Sequence, residues 1–258
     1  MKGGNLMNTS SLLISSSLVI VALFFSYSQK LKLEKEIAIS VIRAIIQLVA
    51  VGYLLNYIFG IKSPLFTTLL LLFMTFNAAY NAAKRGKEIK NGMVISFISI
   101  SIGTVITLSV LVFSRAIKYE PYQVISVGGM IISNSMVALG LCYKQLIFNF
   151  KSKNEEIETK LALGADILPS SIDIIRNSIK TGMLPTIDSA KTLGIVSLPG
   201  MMTGLILAGT SPIVAVKYQI MVTFMMLSTT SISSFTACYL SYKNFFNKRK
   251  QLIINVKS

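Results

Sequence analysis

Seven long apolar runs leave this chain few folds to choose from. They fall at about 9–28, 37–59, 64–83, 93–114, 121–148, 192–211 and 218–242. A helix needs roughly 20 predominantly apolar residues to cross the hydrocarbon core of a bilayer. In lipid every backbone N–H and C=O must find its partner inside the protein, which restricts spanning segments to helices or closed barrels. Runs of this length without strict alternation read as helices. Charged residues make up 14% of the 258 and hydrophobic residues 53%, with a mean hydropathy of +0.67. A soluble domain would carry about 25% charged residues. The expected architecture is all-α: a polytopic integral membrane protein with about seven transmembrane helices, forming a single domain over 1–258.

The basic residues set an orientation. The stretches 30–36, 84–92, 144–191 and 243–258, with Arg43, hold 20 of the 25 Lys and Arg; Lys2, Lys62, Arg115, Lys118 and Lys217 fall on the other side. Cytoplasmic loops carry the excess of Lys and Arg, so the N-terminus is expected outside and the C-terminus in the cytoplasm. The first run has only Lys2 before it and no A-x-A-like cleavage site, so it reads as a retained span. The net charge of +15 is spread over juxtamembrane loops facing anionic headgroups. Membrane lipid is therefore the expected partner, not nucleic acid.

Absences narrow the chemistry. There are no histidines and two cysteines, Cys142 and Cys238, each inside an apolar run. Little remains for a zinc or soft-metal site built from those residues, and the two cysteines read as small core residues. The ten acids, Glu34, Glu36, Glu88, Glu120, Glu155, Glu156, Glu158, Asp166, Asp173 and Asp188, lie outside the apolar runs. Proton-coupled carriers place such groups within the membrane. No G-x-x-x-x-G-K-[ST] phosphate loop is present, so the chain is expected to bind no ATP, Mg or other cofactor and to be no enzyme. Any ATP-driven work falls to a partner chain.

A long polar segment, about 150–188, separates the fifth and sixth runs and reads as cytoplasmic. Ile157, Leu161, Ala165, Leu168, Ile172, Ile175 and Ile179 recur at three- and four-residue steps, drawing one apolar stripe along helical structure. Pro169 is expected to break this stripe into two helices and Pro185 to end the second, with Thr186 or Asp188 capping the sixth span. Such a segment can lie on the bilayer surface or dock on a soluble partner; acids on its polar face favour the protein partner. Its candidate coupling residues are Glu158, Leu161, Gly164, Ala165 and Asp166. In the sixth run, Gly200, Gly204 and Ala208 make a small-residue face that lets another backbone approach. Pro199 invites a kink before it. Those four are the candidate packing and gate residues.

Polar groups inside the runs are candidates for a translocation pathway: Arg43 and Gln47, Asn77 and Asn81, Asn134, and Met201, Met202 and Thr203. Each i, i+4 pair faces one way. Interhelical hydrogen bonding is the competing reading for the polar members, snorkelling for Arg43, and flexible packing for the methionines.

Several runs together resemble the FetB-type (YbbM-like) family of ABC-transporter permeases, associated with iron export in bacteria and related to plant aluminium-tolerance permeases. They are Arg43-Ala-Ile-Ile-Gln-Leu48, Asn77-Ala-Ala-Tyr80, Gly129-Met-Ile-Ile-Ser-Asn-Ser135, Leu161-Ala-Leu-Gly-Ala165, Gly194-Ile-Val-Ser-Leu-Pro-Gly-Met-Met-Thr-Gly204 and Ala215-Val-Lys-Tyr-Gln219. The resemblance implies the membrane-spanning subunit of an ATP-driven exporter in the bacterial inner membrane, paired with an ABC ATPase and forming a homodimer. Iron is the implied cargo, although ferrous iron favours carboxylate and imidazole ligands that the runs lack. An ATP-independent secondary transporter or channel for a small solute is the alternative.

Overall fold

A computed structural model describes residues 9–60 and 63–253, which form helices joined by short connections, with isolated β-bridges at Leu193–Ser197 and Phe246–Leu252. The chain divides into two compact units, residues 1–62 and 63–258.

In the first unit, α1 (Thr9–Ser15) and α2 (Ser17–Ser28) supply one apolar crossing and α3 (Glu34–Gly60) another. The turn between them is held by Ser26. Its hydroxyl donates to Glu34 Oε1 at 2.8 Å and accepts from the Leu33 amide at 3.2 Å. Glu34 thus sits in the first turn of α3, where a carboxylate complements the helix dipole.

The second unit contains α4 (Pro64–Arg85), α5 (Gly92–Phe113), α6 (Pro121–Ser152), α7 (Asn154–Ala162), α8 (Ile167–Thr192), α9 (Gly200–Leu207), α10 (Pro212–Ser241) and a final 3₁₀ turn, Tyr242–Phe245. Pro64, Pro121 and Pro212 each open a helix, where the missing amide has no intrahelical partner to lose. Close approaches fix the directions. A Cβ at Gly128 would run into Leu71, and one at Gly86 would meet Tyr143 at 2.9 Å, so α4 and α6 ascend together. Ser135 Oγ lies 3.0 Å from Thr229 Oγ1 and accepts from Ser233 Oγ at 3.0 Å, while Cys142 lies against Cys238. Therefore α10 is parallel to α6. Ser96 bonds Tyr143 at 2.9 Å, whereas Leu108 lies near Gly128, so α5 is antiparallel.

The direction of α8 corrects the sequence reading. Gly182 packs against Cys142, the Ala138 carbonyl and Ser234, and Thr186 and Ser189 share a cavity with Asn134 and Met130. The second half of α8 thus runs antiparallel to α6 and packs alongside it, inside the bundle. The polar stretch 150–188 is not one segment outside it.

Both proline expectations fail for identifiable reasons. Pro169 is the third residue of α8, where its absent amide costs nothing. The break before α8 comes instead at Gly164, in the left-handed region at φ +90°. Pro185 stands on the exposed side within α8, which continues to Thr192. Thr186 and Asp188 are accordingly interior helix residues; Asp188 pairs with Lys191 at 3.1 Å. Nor is 192–211 a spanning helix. Gly194 at φ +80°, Pro199 and Gly209 at φ +92° divide it into a turn and the eight-residue α9. Six helices among the described residues are long and apolar enough to span a bilayer, and this run is not one of them.

Candidate functional site

Between α8 and α9 the chain leaves helical geometry at a level near the middle of α6. The Thr192 carbonyl accepts from the Val196 amide at 3.0 Å, and the Gly194 amide donates to the Ser197 carbonyl at 3.0 Å. This compact turn satisfies part of the backbone that the helix break releases, and α9 restarts behind Pro199. Irregular backbone at membrane depth is tolerated where protein buries it or where it lines a cavity.

A cavity of about 370 Å³ lies at this break. The wall combines Met130 and Asn134 from α6, Thr186, Ser189 and Ala190 from α8, Leu193, Ser197 and Pro199 from the turn, Gly200 and Met201 from α9, and Gln219, Val222, Thr223 and Met226 from α10. Several of its polar groups are already engaged. Asn134 donates to the Met130 carbonyl at 2.8 Å, and the Thr223 hydroxyl to the Gln219 carbonyl at 2.9 Å. Gln219 differs. Its residue is 8% exposed, and among the described residues its side-chain oxygen Oε1 has no hydrogen-bond partner. An unpaired buried polar atom costs about 1–3 kcal/mol, a penalty that a bound donor or cation would relieve.

A second site lies where α7 turns into α8. Glu158, Leu161, Gly164, Ala165 and Asp166 line one groove, of about 720 Å³, with Arg249, Lys250, Gln251 and Leu252 opposite. The five candidate coupling residues are thus brought together. Gly164 makes the turn: its amide donates to the Leu161 carbonyl and that of Ala165 to the Lys160 carbonyl, each at 3.0 Å. Such a left-handed helix end is the usual place for glycine. Asp166 then starts α8, accepting from the Ile167 amide at 2.9 Å, and pairs with Lys250 at 2.9 Å. That lysine, together with the amide, holds the Asp166 carboxyl below its usual range. The opposite wall is a small hairpin closed by the Ile253 amide on the Phe245 carbonyl at 2.9 Å, anchored by Phe245 stacked on Phe150 at 4.2 Å.

The remaining candidates disperse. Arg43 and Gln47 are exposed on α3 in the first unit. Asn77 and Asn81 are exposed on α4, each donating to the backbone four residues earlier, at 3.1 and 2.8 Å. Thr203 likewise bonds the Pro199 carbonyl at 3.0 Å, and Met202 is half-buried away from the cavity wall. Asn134 and Met201, with Pro199 and Gly200, do reach the cavity. Gly204 and Ala208 are exposed, and nothing lies within 4 Å of a Cβ built at Gly200 or Gly204. The sequence reading did not assign Met130, Thr186, Ser189, Gln219 or Met226. Of these, Gln219 had a legible signal, an amide inside an apolar run. No group of three or more His, Cys, Asp or Glu able to hold a metal occurs among the described residues.

Comparison with known proteins decides the family. The model of the uncharacterised protein family UPF0014 matches residues 9–246. The chain belongs to this family. It is 52% identical over 95% of its length, and 94% of the relative's, to a protein of Escherichia coli (strain K12) named "Probable iron export permease protein FetB". It is 37% identical to "Protein ALUMINUM SENSITIVE 3" of Arabidopsis thaliana, over 93% of this chain and 88% of the relative. It is also 37% identical to "UPF0014 membrane protein YjkA" of Bacillus subtilis (strain 168), over 94% and 97%. No solved structure matches the chain. Family membership agrees with the fold, an all-α polytopic membrane protein.

Proposed function

We propose that this chain is the membrane-spanning permease subunit of an ATP-driven metal exporter, energised by a separate ABC ATPase. The observation that carries the reading is the groove between the α7–α8 turn and residues 249–252. It gathers Glu158, Leu161, Gly164, Ala165 and Asp166 toward the end of the bundle where α4, α6 and the 3₁₀ turn after α10 finish with Lys84, Lys151 and Lys243. That end is cytoplasmic by the bias of its basic residues, where a soluble ATPase would meet it. From the groove, α8 leads straight to the broken crossing and its cavity, so force on the turn reaches the cavity wall through one helix.

In this reading α8, the turn and α9 together make one crossing, because α6 and α10 are parallel and the chain between them must return. With the two crossings of the first unit, and α4, α5, α6 and α10, that gives seven, an N-terminus outside and a C-terminus in the cytoplasm. Lys191 and Asp188 then lie at membrane depth, where an exposed ion pair needs water or protein against it. The open face at Gly200 and Gly204 suits a second copy of the chain, in a homodimer. Iron is the cargo that the bacterial relative's name suggests.

Copurification with an ABC ATPase, followed by ATP hydrolysis in proteoliposomes, tests the coupling. Parent protein is expected to hold the ATPase and Leu161→Asp to release it. Metal flux without any ATPase would instead establish an ATP-independent transporter.

A further inference from the structure

We propose that the cavity at the α8–α9 break is a cargo site for a soft monovalent metal cation, held by the thioethers of Met130, Met201 and Met226 and by the amide oxygen of Gln219. Its role as a cargo site rests on the export reading; the binding itself does not.

Three observations carry it. The methionines come from α6, α9 and α10, and all three border the same unfilled space. Methionine used as packing adapts its shape to fill gaps; here three leave about 370 Å³ unfilled. Beside them Gln219 is nine-tenths buried, with Oε1 unpartnered among the described residues. A buried carbonyl-type oxygen of this kind is a ligand for a cation or a hydrogen-bond donor. Finally, the wall is uncharged: it carries no carboxylate, imidazole, thiol, Lys or Arg.

The donor chemistry selects the ion. Thioethers are soft ligands that favour Cu(I) over the harder divalent metals, which prefer oxygen and imidazole. Charge points the same way. Stripping water from an ion in a low-dielectric site is costly and rises with the square of the charge, and a neutral wall gives little back to a divalent ion. The helix ends do not alter the balance, because the C-terminus of α8 and the N-terminus of α9 both reach the cavity and oppose each other. An anion would meet no cationic group there, and a bare ferrous ion none of its preferred ligands.

The test uses Ag(I) as the probe, on the purified full chain in detergent without ATPase, read by calorimetry and native mass spectrometry. The buried thiols of Cys142 and Cys238 are a rival soft site, so the measurement is made on the Cys142→Ala/Cys238→Ala background. One Ag(I) per chain is expected, undisturbed by a hundredfold excess of Mn(II), a hard divalent ion that does not reduce silver. Met201→Leu and Met226→Leu should each weaken binding at least tenfold, while Met93→Leu leaves it unchanged. Gln219→Leu should weaken binding and Gln219→Glu tighten it, since a carboxylate of the same shape adds charge at the ion; this opposite pair keeps the test informative if a methionine variant folds poorly. Loss of Ag(I) binding with the two cysteines, or equal binding by the Met201, Met226 and parent proteins, would overturn the site, as would displacement by Mn(II). Intact binding without ATP-dependent flux would count against the exporter reading alone.

Discussion

Glycine does opposite work in two parts of the second unit. In the seam of α5, α6, α8 and α10, a Cβ on Gly103 would run into Ser233 and stand 3.1 Å from the Thr229 hydroxyl, and one on Gly182 would strike Cys142 and the Ala138 carbonyl. In α9, a Cβ on Gly200 or Gly204 would meet nothing. The seam has already used its small residues to bring backbones together, which in lipid is the main source of helix–helix attraction. The helix that follows the break, α9, keeps its small residues free. One region has closed its small residues against neighbours; the other leaves them open, as a moving part or a second copy of the chain would require.

The largest test of that contrast is overpacking. Gly182→Leu should cost at least the 1–3 kcal/mol typical of an overfilled core, because the Ala138 carbonyl is backbone and cannot turn aside. We expect little monodisperse protein and a clear drop in melting temperature. Gly204→Leu should change stability by no more than about 0.5 kcal/mol and leave that temperature nearly unchanged, yet abolish transport. If a homodimer fills the face, overpacking by about 1–3 kcal/mol is enough to shift a gating equilibrium roughly 5- to 150-fold. Normal flux in Gly204→Leu would show that this face meets only lipid.

Gly164→Leu is expected to act between these extremes. A left-handed backbone costs a non-glycine residue about 1–2 kcal/mol, while the space around the position is open. The bundle should survive and ATPase copurification should fall, as measured by the ratio of the two chains after affinity capture. Unchanged copurification would move the coupling surface elsewhere.

The smallest effect concerns pH. Lys250 lowers the Asp166 carboxyl from its ordinary 3.8. A depressed carboxylate contributes its stabilisation above the ordinary pKa and loses it as pH falls through the lowered value. The Asp166–Lys250 contact should therefore be constant from about pH 5 to 8 and loosen only below about 4. Cross-linking between cysteines placed at 165 and 251, which line the same groove and leave both charges in place, reports the proximity of the two chain segments, and Lys250→Ala should raise the Asp166 carboxyl part of the way back, the Ile167 amide still holding it down. A change in the wild-type contact between pH 5 and 8 would show that another group governs it.

Much of this molecule was legible because lipid imposes a simple demand on sequence. The runs at 64–83, 93–114 and 121–148 became α4, α5 and α6 within a few residues at their starts, since each opens next to a proline or a turn and then stays apolar. The residues at 158–166 that line the groove stood out in the sequence because they form a charged interruption between apolar runs. The break between α8 and α9 was not. Apolarity made 192–211 look like a span, while the charges up to Asp188 made the second half of α8 look like part of a polar helical segment outside the membrane. Packing overrode both signals: Gly182 and Ser178 give α8 a narrow face that fits against α6 and α10, and its charges remain on the opposite, exposed side.

Sequence by itself determined the class, the helices with continuous apolar surface and the end of the bundle that carries the basic charge, because burial in lipid acts residue by residue. Only the tertiary structure decided which polar residues share a space. Asn77, Asn81 and Asn134 look alike in a one-dimensional reading, yet the first two are exposed with their amides on their own helix, and the third reaches a cavity with Gln219 and three methionines. The difference lies in the direction of a helix face relative to its neighbours. Close contacts of Gly86 with Tyr143, Gly103 with Ser233, Gly128 with Leu71 and Gly182 with Cys142 set that direction, and those contacts join residues far apart in the chain.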